Sequence, residues 1–329
     1  MHGGLHAGDA GQPQALDEPE QATRARRRSD APGSIRVPNV VIPACRIQLS
    51  DEWIHTWIVR IAQSSRSRPM TTCDRLHCLL LGWELCPESV SLEGGTRERI
   101  LRLPIIGVLV HTAAGWVLLE TGCDPRPYRS ADTHDIYRVG LPEFPTAGDP
   151  LLEALAAHGV APSELAAAAV SHLHLDHAGG LRHLVGHVPI TIQARELDFA
   201  TQRAGRAEAY VREDYELADL TWRTIDGDAE IAPGIDAVFT PGHTPGHMSY
   251  RVRMAGSGTW LFAVDAIDLA QGIRDDRPIG YASDPADDAL RRVSHDRLVA
   301  LAAQEGARLV PGHCPETWPP LAAVAEGHE

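Results

Sequence analysis

The sequence predicts a mixed α/β fold of the α+β type, in which two β-sheets pack face to face and helices lie outside them. Apolar runs of strand length are interspersed with helical segments, and these elements fall into two similar halves. Hydrophobic residues make up 43% of the 329 residues and charged residues 22%, which allows a large buried core. Together these observations favour two packed sheets.

The N-terminal segment differs in composition from the rest of the chain. Residues 1–34 are rich in Gly, Ala, Gln, Glu, Arg and Pro and poor in large apolar side chains, so burial cannot offset the entropy lost on ordering. Residues 35–69 carry no chemical motif. We therefore expect a poorly ordered extension over 1–69 and one folded domain over 70–329.

The first half of the domain contains a predicted hairpin. Residues 103–111 and 116–121 are apolar runs separated by Ala-Ala-Gly, a pattern typical of two antiparallel strands. Residues 150–158 predict a short helix that a glycine closes. Short strands are predicted at 167–171 and 190–194.

The second half repeats the mixture of strands and helices. Its predicted elements are a strand at 235–240, a hairpin of 248–253 and 259–264, a helix at 285–304 and a strand at 308–310. The helix has one apolar side, which we expect to face the core: Leu290, Val293, Leu298 and Leu301.

The strongest chemical signal is the segment 171–180, Ser-His-Leu-His-Leu-Asp-His-Ala-Gly-Gly, which follows a predicted strand. His172 and His174 are two residues apart, so in extended backbone they project the same way. Asp176 and His177 follow where the chain turns. The segment can therefore offer two ligands to one metal and two to another. Imidazole combined with carboxylate suits zinc, manganese or iron better than calcium.

Three further candidate ligands follow apolar strands. They are His243 in Pro-Gly-His-Thr-Pro-Gly-His, Asp265, and His313 in Pro-Gly-His. A rigid sheet can deliver such residues to a common rim. Asp265 can bridge two metals because a carboxylate has two oxygens, and metals about 3.5–4 Å apart can share one hydroxide. His247 is expected to support its loop by a hydrogen bond.

Taken in order, these motifs resemble the ligand set of the metallo-β-lactamase superfamily over residues 76–320. Within it, HLHLDHAGG and the stretch at 227–250 are similar to the N-acyl-homoserine lactonase, or quorum-quenching, family. The resemblance implies a four-layer αββα sandwich. It also implies that one metal is bound by His172, His174 and His243, the other by Asp176, His177 and His313, and that Asp265 bridges them.

The implied activity is a metal-dependent hydrolase that opens N-acyl-homoserine lactones, or a related lactone, by attack of a hydroxide held by the metals. Two divalent ions, most simply Zn²⁺ with Mn²⁺ or Fe²⁺ as alternatives, are the implied cofactors. Asp176, Asp265 and Asp268 are the candidate catalytic residues, and Asp176 or Asp268 would carry the proton. The family has Tyr where Asp268 stands and Asp where Cys314 stands, which puts the substrate in doubt rather than the metal site.

A further resemblance concerns the first hairpin, which ends in Leu-Glu-Thr-Gly and is similar to the family's Asp-Thr-Gly turn with Glu120 in place of Asp.

Loop residues at 123–148, including Tyr128, Tyr137 and Phe144, are expected to shape the substrate pocket together with residues 199–222. These segments lie outside the metal motifs, so the resemblance to the ligand set does not depend on them.

Other functions remain open at this stage. The same site could serve a thioesterase or a phosphodiesterase, a dioxygenase with one iron, or a non-catalytic sensor. The net charge of −14 argues against a nucleic-acid partner. No apolar run is long enough to span a membrane, and no secretory signal is visible. We therefore expect a cytoplasmic enzyme with a small lactone-like substrate, and a homodimer is left open.

Overall fold

Two β-sheets form the centre of the part of the chain that the computed structural model describes, which is residues 71–129, 141–203 and 209–329. The extension predicted over 1–69 lies outside the described residues. The strands in these ranges are β1 (Arg75–Pro87), β2 (Ile100–Thr112), β3 (Gly115–Leu119), β4 (Leu165–Ala169), β5 (Ile190–Gln193), β6 (Trp222–Ile225), β7 (Ala229–Ala232), β8 (Ile235–Phe239), β9 (Met248–Met254), β10 (Gly258–Val264) and β11 (Arg308–Pro311).

Each half of the domain supplies one sheet. In the described residues the first sheet has the order β1-β2-β3-β4-β5-β6 and the second has the order β11-β10-β9-β8-β7. The strands β1 to β3 pair antiparallel and β3 to β6 pair parallel. In the second sheet β7 to β10 pair antiparallel and β11 lies parallel to β10. Both predicted hairpins, β2 with β3 and β9 with β10, are confirmed.

Helices connect and cover these strands. In the described ranges they are α1 (Glu88–Ser91), α2 (Arg126–Arg129), α3 (Pro150–Ala157), α4 (Leu175–Ala178), α5 (Ala194–Arg203), α6 (Arg212–Tyr215), α7 (Ala270–Arg274), α8 (Asp288–Glu305) and α9 (Trp318–Ala322), with short 3₁₀ turns at Pro162–Glu164, Leu181–His183 and Pro285–Asp287. None of the described helices is long and apolar enough to cross a membrane.

The strand β2 shows how the layers are built. Val108 and Val110 belong to the apolar cluster between the sheets, whereas Leu109 belongs to the cluster on the opposite face of the first sheet. Successive side chains of a strand point to opposite faces. Because both faces are covered, β2 is a continuous apolar run and not an alternating one.

Helices cover the two outer faces. Leu151 and Leu155 of α3 share a buried cluster with Leu118 of β3, and Leu298 of α8 shares another with Ala263 of β10. The order of layers is thus helix, sheet, sheet, helix. The predicted αββα sandwich is confirmed.

The predicted helix at 285–304 is present, but its expected apolar face is wrong at one position. Val293 is 46% exposed, and the buried face of α8 contains Arg291, Ser294 and His295 beside Leu298. The Ser294 hydroxyl donates to the carbonyl of Pro241 at 2.6 Å. The helix is rotated so that polar side chains, and not Val293, face the Pro-Gly-His segment.

Candidate metal centre

The seven predicted ligands lie in segments that follow strand ends. Their positions are His172 and His174 after β4, Asp176 and His177 in α4, His243 after β8, Asp265 after β10, and His313 after β11. The structure brings all seven into one cluster, in which each residue is at most 8% exposed. Rigid strands therefore set the starting point of every loop that carries a candidate ligand.

The first group consists of His172, His174 and His243. Each residue offers one ring nitrogen, and these atoms lie within 4.8 Å of one another. His174 Nδ1 lies 3.0 Å from His243 Nε2. Such a separation suits nitrogens that share one ion.

The second group consists of Asp176, His177 and His313, which also offer atoms within 4.8 Å of one another. Asp176 Oδ2 lies 3.1 Å from His177 Nε2 and 3.7 Å from His313 Nε2. The group thus combines a carboxylate with two imidazoles.

The carboxylate of Asp265 lies between the two groups. Its Oδ1 atom is 3.0 Å from His313 Nε2 and 3.1 Å from His177 Nε2. Its Oδ2 atom is 3.3 Å from His243 Nε2 and 3.9 Å from His172 Nε2. One oxygen therefore faces each group, which is the geometry that a bridging carboxylate requires.

The imidazole rings of the first group are in the state that suits metal binding. The Nε2 atom of His172 is buried and makes no hydrogen bond within the described residues. Burial lowers the pKa of His174 to about 4 and that of His243 to about 3, so both rings are neutral near pH 7. Neutral imidazoles with unused lone pairs are the form that binds a metal.

In the second group the neighbouring carboxylates favour the charged form of a ring, whereas in the first group burial favours the neutral form. Burial disfavours a charge on His177, but Asp176 and Asp265 outweigh it and hold the pKa of this ring well above its usual range. Protons thus compensate the carboxylates in the second group. Divalent cations would replace these protons, because a cation and a proton compete for the same nitrogen.

Hydrogen bonds fix the orientation of the rings in the second group. His313 Nδ1 donates to the carbonyl of Pro104 at 2.8 Å, which leaves its Nε2 atom facing Asp265 Oδ1 at 3.0 Å. His177 Nδ1 lies 2.7 Å from Glu120 Oε2. Glu120 Oε1 accepts from the Ser171 amide at 2.7 Å and from the Tyr250 hydroxyl. The turn residue Glu120 thus orients His177.

Two neighbours support the first group. The Ser283 hydroxyl lies 3.1 Å from His174 Nε2, and the Ser283 amide donates to the carbonyl of His243 at 2.8 Å. His247 Nδ1 donates to the carbonyl of Thr240 at 3.0 Å, and its Nε2 accepts from the Asp265 amide at 3.1 Å. As predicted, His247 supports the loop through hydrogen bonds, and both of its nitrogens are used.

Asp268, the remaining catalytic candidate, lies at the edge of the cluster. It is 3% exposed, and a carboxylate oxygen of Asp268 lies within 4.8 Å of ligand atoms of Asp265 and His313. Its Oδ1 atom makes no hydrogen bond within the described residues. Burial, reinforced by the charge of Asp265, holds the pKa of Asp268 well above its usual range.

Sequence reasoning missed one carboxyl group close to the site. Glu84 lies on β1, and burial together with the charge of Asp176 raises its pKa to about 8. The signal was present, because Glu84 is an acid within the otherwise apolar run Leu-Gly-Trp-Glu-Leu-Cys. Of the expected pocket residues, Tyr128 and Phe144 lie with ring centroids 6.3 Å apart. Tyr137 lies outside the described residues.

Comparison with known proteins gives consistent results. A model of the metallo-beta-lactamase superfamily matches residues 106–313. An N-acyl homoserine lactonase of Bacillus cereus is 32% identical over 202 residues, which cover 60% of this chain and 78% of the relative.

Solved structures show the same relationship. One is a variant of a lactonase of Bacillus thuringiensis with N-decanoyl-L-homoserine bound at the active site. It has a TM-score of 0.65 and 29% identity, and the match covers 74% of this chain and 95% of that one. Another N-acyl homoserine lactone hydrolase, with N-hexanoyl-L-homoserine bound at its catalytic metal centre, gives a TM-score of 0.65, 29% identity and the same coverage.

Proposed function

The chain belongs to the metallo-beta-lactamase superfamily and, within it, to the family of N-acyl homoserine lactonases, and we propose that it hydrolyses the ester bond of N-acyl homoserine lactones. The single observation that carries the proposal is the position of Asp265, with one oxygen toward each group of imidazoles. The lactonase activity of the relatives supports the substrate class.

In this proposal the cluster would hold two divalent cations. His172, His174 and His243 would bind the first, Asp176, His177 and His313 would bind the second, and Asp265 would be a ligand of both. Imidazole and carboxylate donors without thiolate favour zinc in an open, catalytic arrangement, and Mn²⁺ and Fe²⁺ are the alternatives. When bound, such a pair of cations lowers the pKa of water and polarises an ester carbonyl.

The protein's own residues supply orientation and proton transfer. Glu120 and the carbonyl of Pro104 keep His177 and His313 in the tautomer that exposes Nε2. Ring opening leaves a negative charge on the ring oxygen, which needs a proton. We assign its delivery to Asp268, whose unpartnered Oδ1 lies beside Asp265 and His313, and we keep Asp176 as the alternative donor.

The test is a panel of substrates with the purified, metal-loaded protein. Lactone opening releases acid, so a pH indicator follows it directly, and thioesters and phosphodiesters provide the competing classes. Asp265→Ala is expected to abolish turnover and to lower the bound metal from two equivalents to one or none. Hydrolysis of thioesters or phosphodiesters but of no lactone would contradict the substrate assignment.

Metal analysis separates the remaining alternatives. One iron per chain would favour a dioxygenase over a hydrolase, and binding of a lactone by the unmodified, metal-loaded protein without turnover of any substrate in the panel would favour a sensor. The cytoplasmic location stays a prediction of the sequence, and the oligomeric state stays open.

A further inference from the structure

A buried carboxylate outside the candidate ligand set joins the two loops of the first group. Glu196 lies in the first turn of α5 and is 0% exposed. Its Oε1 atom accepts from the Leu173 amide at 3.1 Å and from the Tyr210 hydroxyl at 2.8 Å. Its Oε2 atom accepts from the Thr244 hydroxyl at 2.7 Å and from the Gly246 amide at 3.1 Å.

Three of the four donors to Glu196 come from segments that carry the first group, and the fourth, Tyr210, packs beside it. Leu173 stands between His172 and His174, and Thr244 follows His243 directly. The ring of Tyr210 lies edge-on to His174 with centroids 4.7 Å apart. A single side chain is thus hydrogen-bonded beside every member of the first group.

The packing around this carboxylate leaves little room for adjustment. A Cβ atom built on Gly246 would lie 2.2 Å from the backbone nitrogen of Glu196. The loop that carries His243 therefore rests directly on the first turn of α5. A shift of Glu196 would displace that loop, because the two backbones are in close contact and no flexible side chain lies between them.

Only a carboxylate satisfies this set of donors. Each of its oxygens accepts from one backbone amide, Leu173 on one side and Gly246 on the other. A glutamine at this position would place its NH₂ group against one of those amides in either orientation, so one buried donor would lose its acceptor.

We infer that Glu196 is a positioning residue for the first metal site, where it holds the loops of His172, His174 and His243 at the separation that one ion requires. This inference rests on the proposed pair of metals. Glu196 touches neither Asp176 nor His313 in any hydrogen bond of the described residues, so its effect is confined to the first site.

The test measures zinc affinity without reference to turnover. Zn²⁺ alone is titrated against a competing fluorescent chelator in two backgrounds that each leave one site. His313→Ala removes a ligand of the second site, and His243→Ala removes a ligand of the first. Adding Glu196→Gln is expected to weaken zinc binding about 10- to 100-fold in the His313→Ala background. In the His243→Ala background the change is expected to stay within about threefold.

Two further variants serve as control and fallback. Asp198→Asn removes an equal charge from an exposed position of the same helix and is expected to leave zinc affinity unchanged. Tyr210→Phe removes one hydrogen bond from Glu196 and keeps the ring beside His174. It is expected to weaken the first site by about threefold or more, and it provides the test if the glutamine variant does not fold.

The outcomes are distinct. Equal loss of affinity at both sites, or no loss at the first site in either Glu196→Gln or Tyr210→Phe, would overturn the inference and leave the proposed function in place. Failure of the unmodified protein to bind two zinc ions would overturn both.

Discussion

The substitution Glu120→Gln tests how far hydrogen bonding to His177 supports the second metal site. The Glu120 carboxylate is 0% exposed and accepts from three groups: His177 Nδ1, the Ser171 amide and the Tyr250 hydroxyl. A glutamine amide would turn its NH₂ group toward His177 or toward Ser171. Either orientation leaves a buried donor without an acceptor.

The expected magnitude follows from these contacts. One unsatisfied buried donor costs roughly 1–3 kcal/mol, and the bond to a charged acceptor that is lost contributes roughly another 1.5–3 kcal/mol. We therefore expect the metal-free variant to lose about 2.5–6 kcal/mol of its free energy of unfolding. Zinc affinity at the second site should fall about 10- to 100-fold, because His177 is no longer held in one tautomer.

Urea denaturation of the metal-free protein gives the stability, and chelator competition in the His243→Ala background gives the affinity. Tyr250→Phe is the matched control, since it removes one of the three donors and leaves the carboxylate. The Tyr250→Phe variant should lose about 1–2 kcal/mol of its free energy of unfolding. A Glu120→Gln variant with unchanged stability and unchanged zinc affinity would refute the reasoning.

Three further predictions concern other parts of the domain. Asp268→Asn should lower kcat about 100-fold or more while zinc content stays at two equivalents, as measured by metal analysis and steady-state kinetics; an unchanged kcat would exclude Asp268 as proton donor. Gly246→Ala should destabilise the protein by about 1–3 kcal/mol in urea, because its Cβ would meet the backbone of Glu196; equal stability would show that the loop can move. Burial and then the charge of His158 lower the pKa of His77 to about 4, so the unfolded chain takes up this proton below pH 6.5 and the folded chain does not. This group alone should lower the stability by about 2 kcal/mol between pH 7.5 and 5.0, so His77→Gln should reduce the total fall by about that amount; identical pH profiles of the two proteins would contradict the assignment.

The candidate ligands could be predicted because the information about them is local. The two-residue spacing of His172 and His174 fixes a shared direction in extended chain, and glycine and proline mark the loops of His243 and His313. The central hairpins were equally visible, since long apolar runs with a short turn have few alternatives. Ligand motifs and hydrophobic periods each extend over only a few residues, and so they can be recognised in the sequence alone.

Elements with a weak local pattern were missed. The strands β6 and β7 have four residues each, and β6 is only partly covered, so no period can be recognised in them. The strand β1 is a long apolar run that carries no turn signal at its start. Val293 was assigned to the wrong face because the hydrophobic pattern of α8 does not report that Ser294 bonds to Pro241.

The sequence by itself determined the αββα layering, the order of the seven candidate ligands and the family. Only the tertiary structure decided what holds those ligands: Tyr250 reaches Glu120 across 130 positions of the chain, and Glu196 reaches Thr244 across 48. Partners so distant are chosen by how the sheets and helices pack. Their residue types are ordinary, and no spacing rule links them, so their function becomes visible only when the chain is folded.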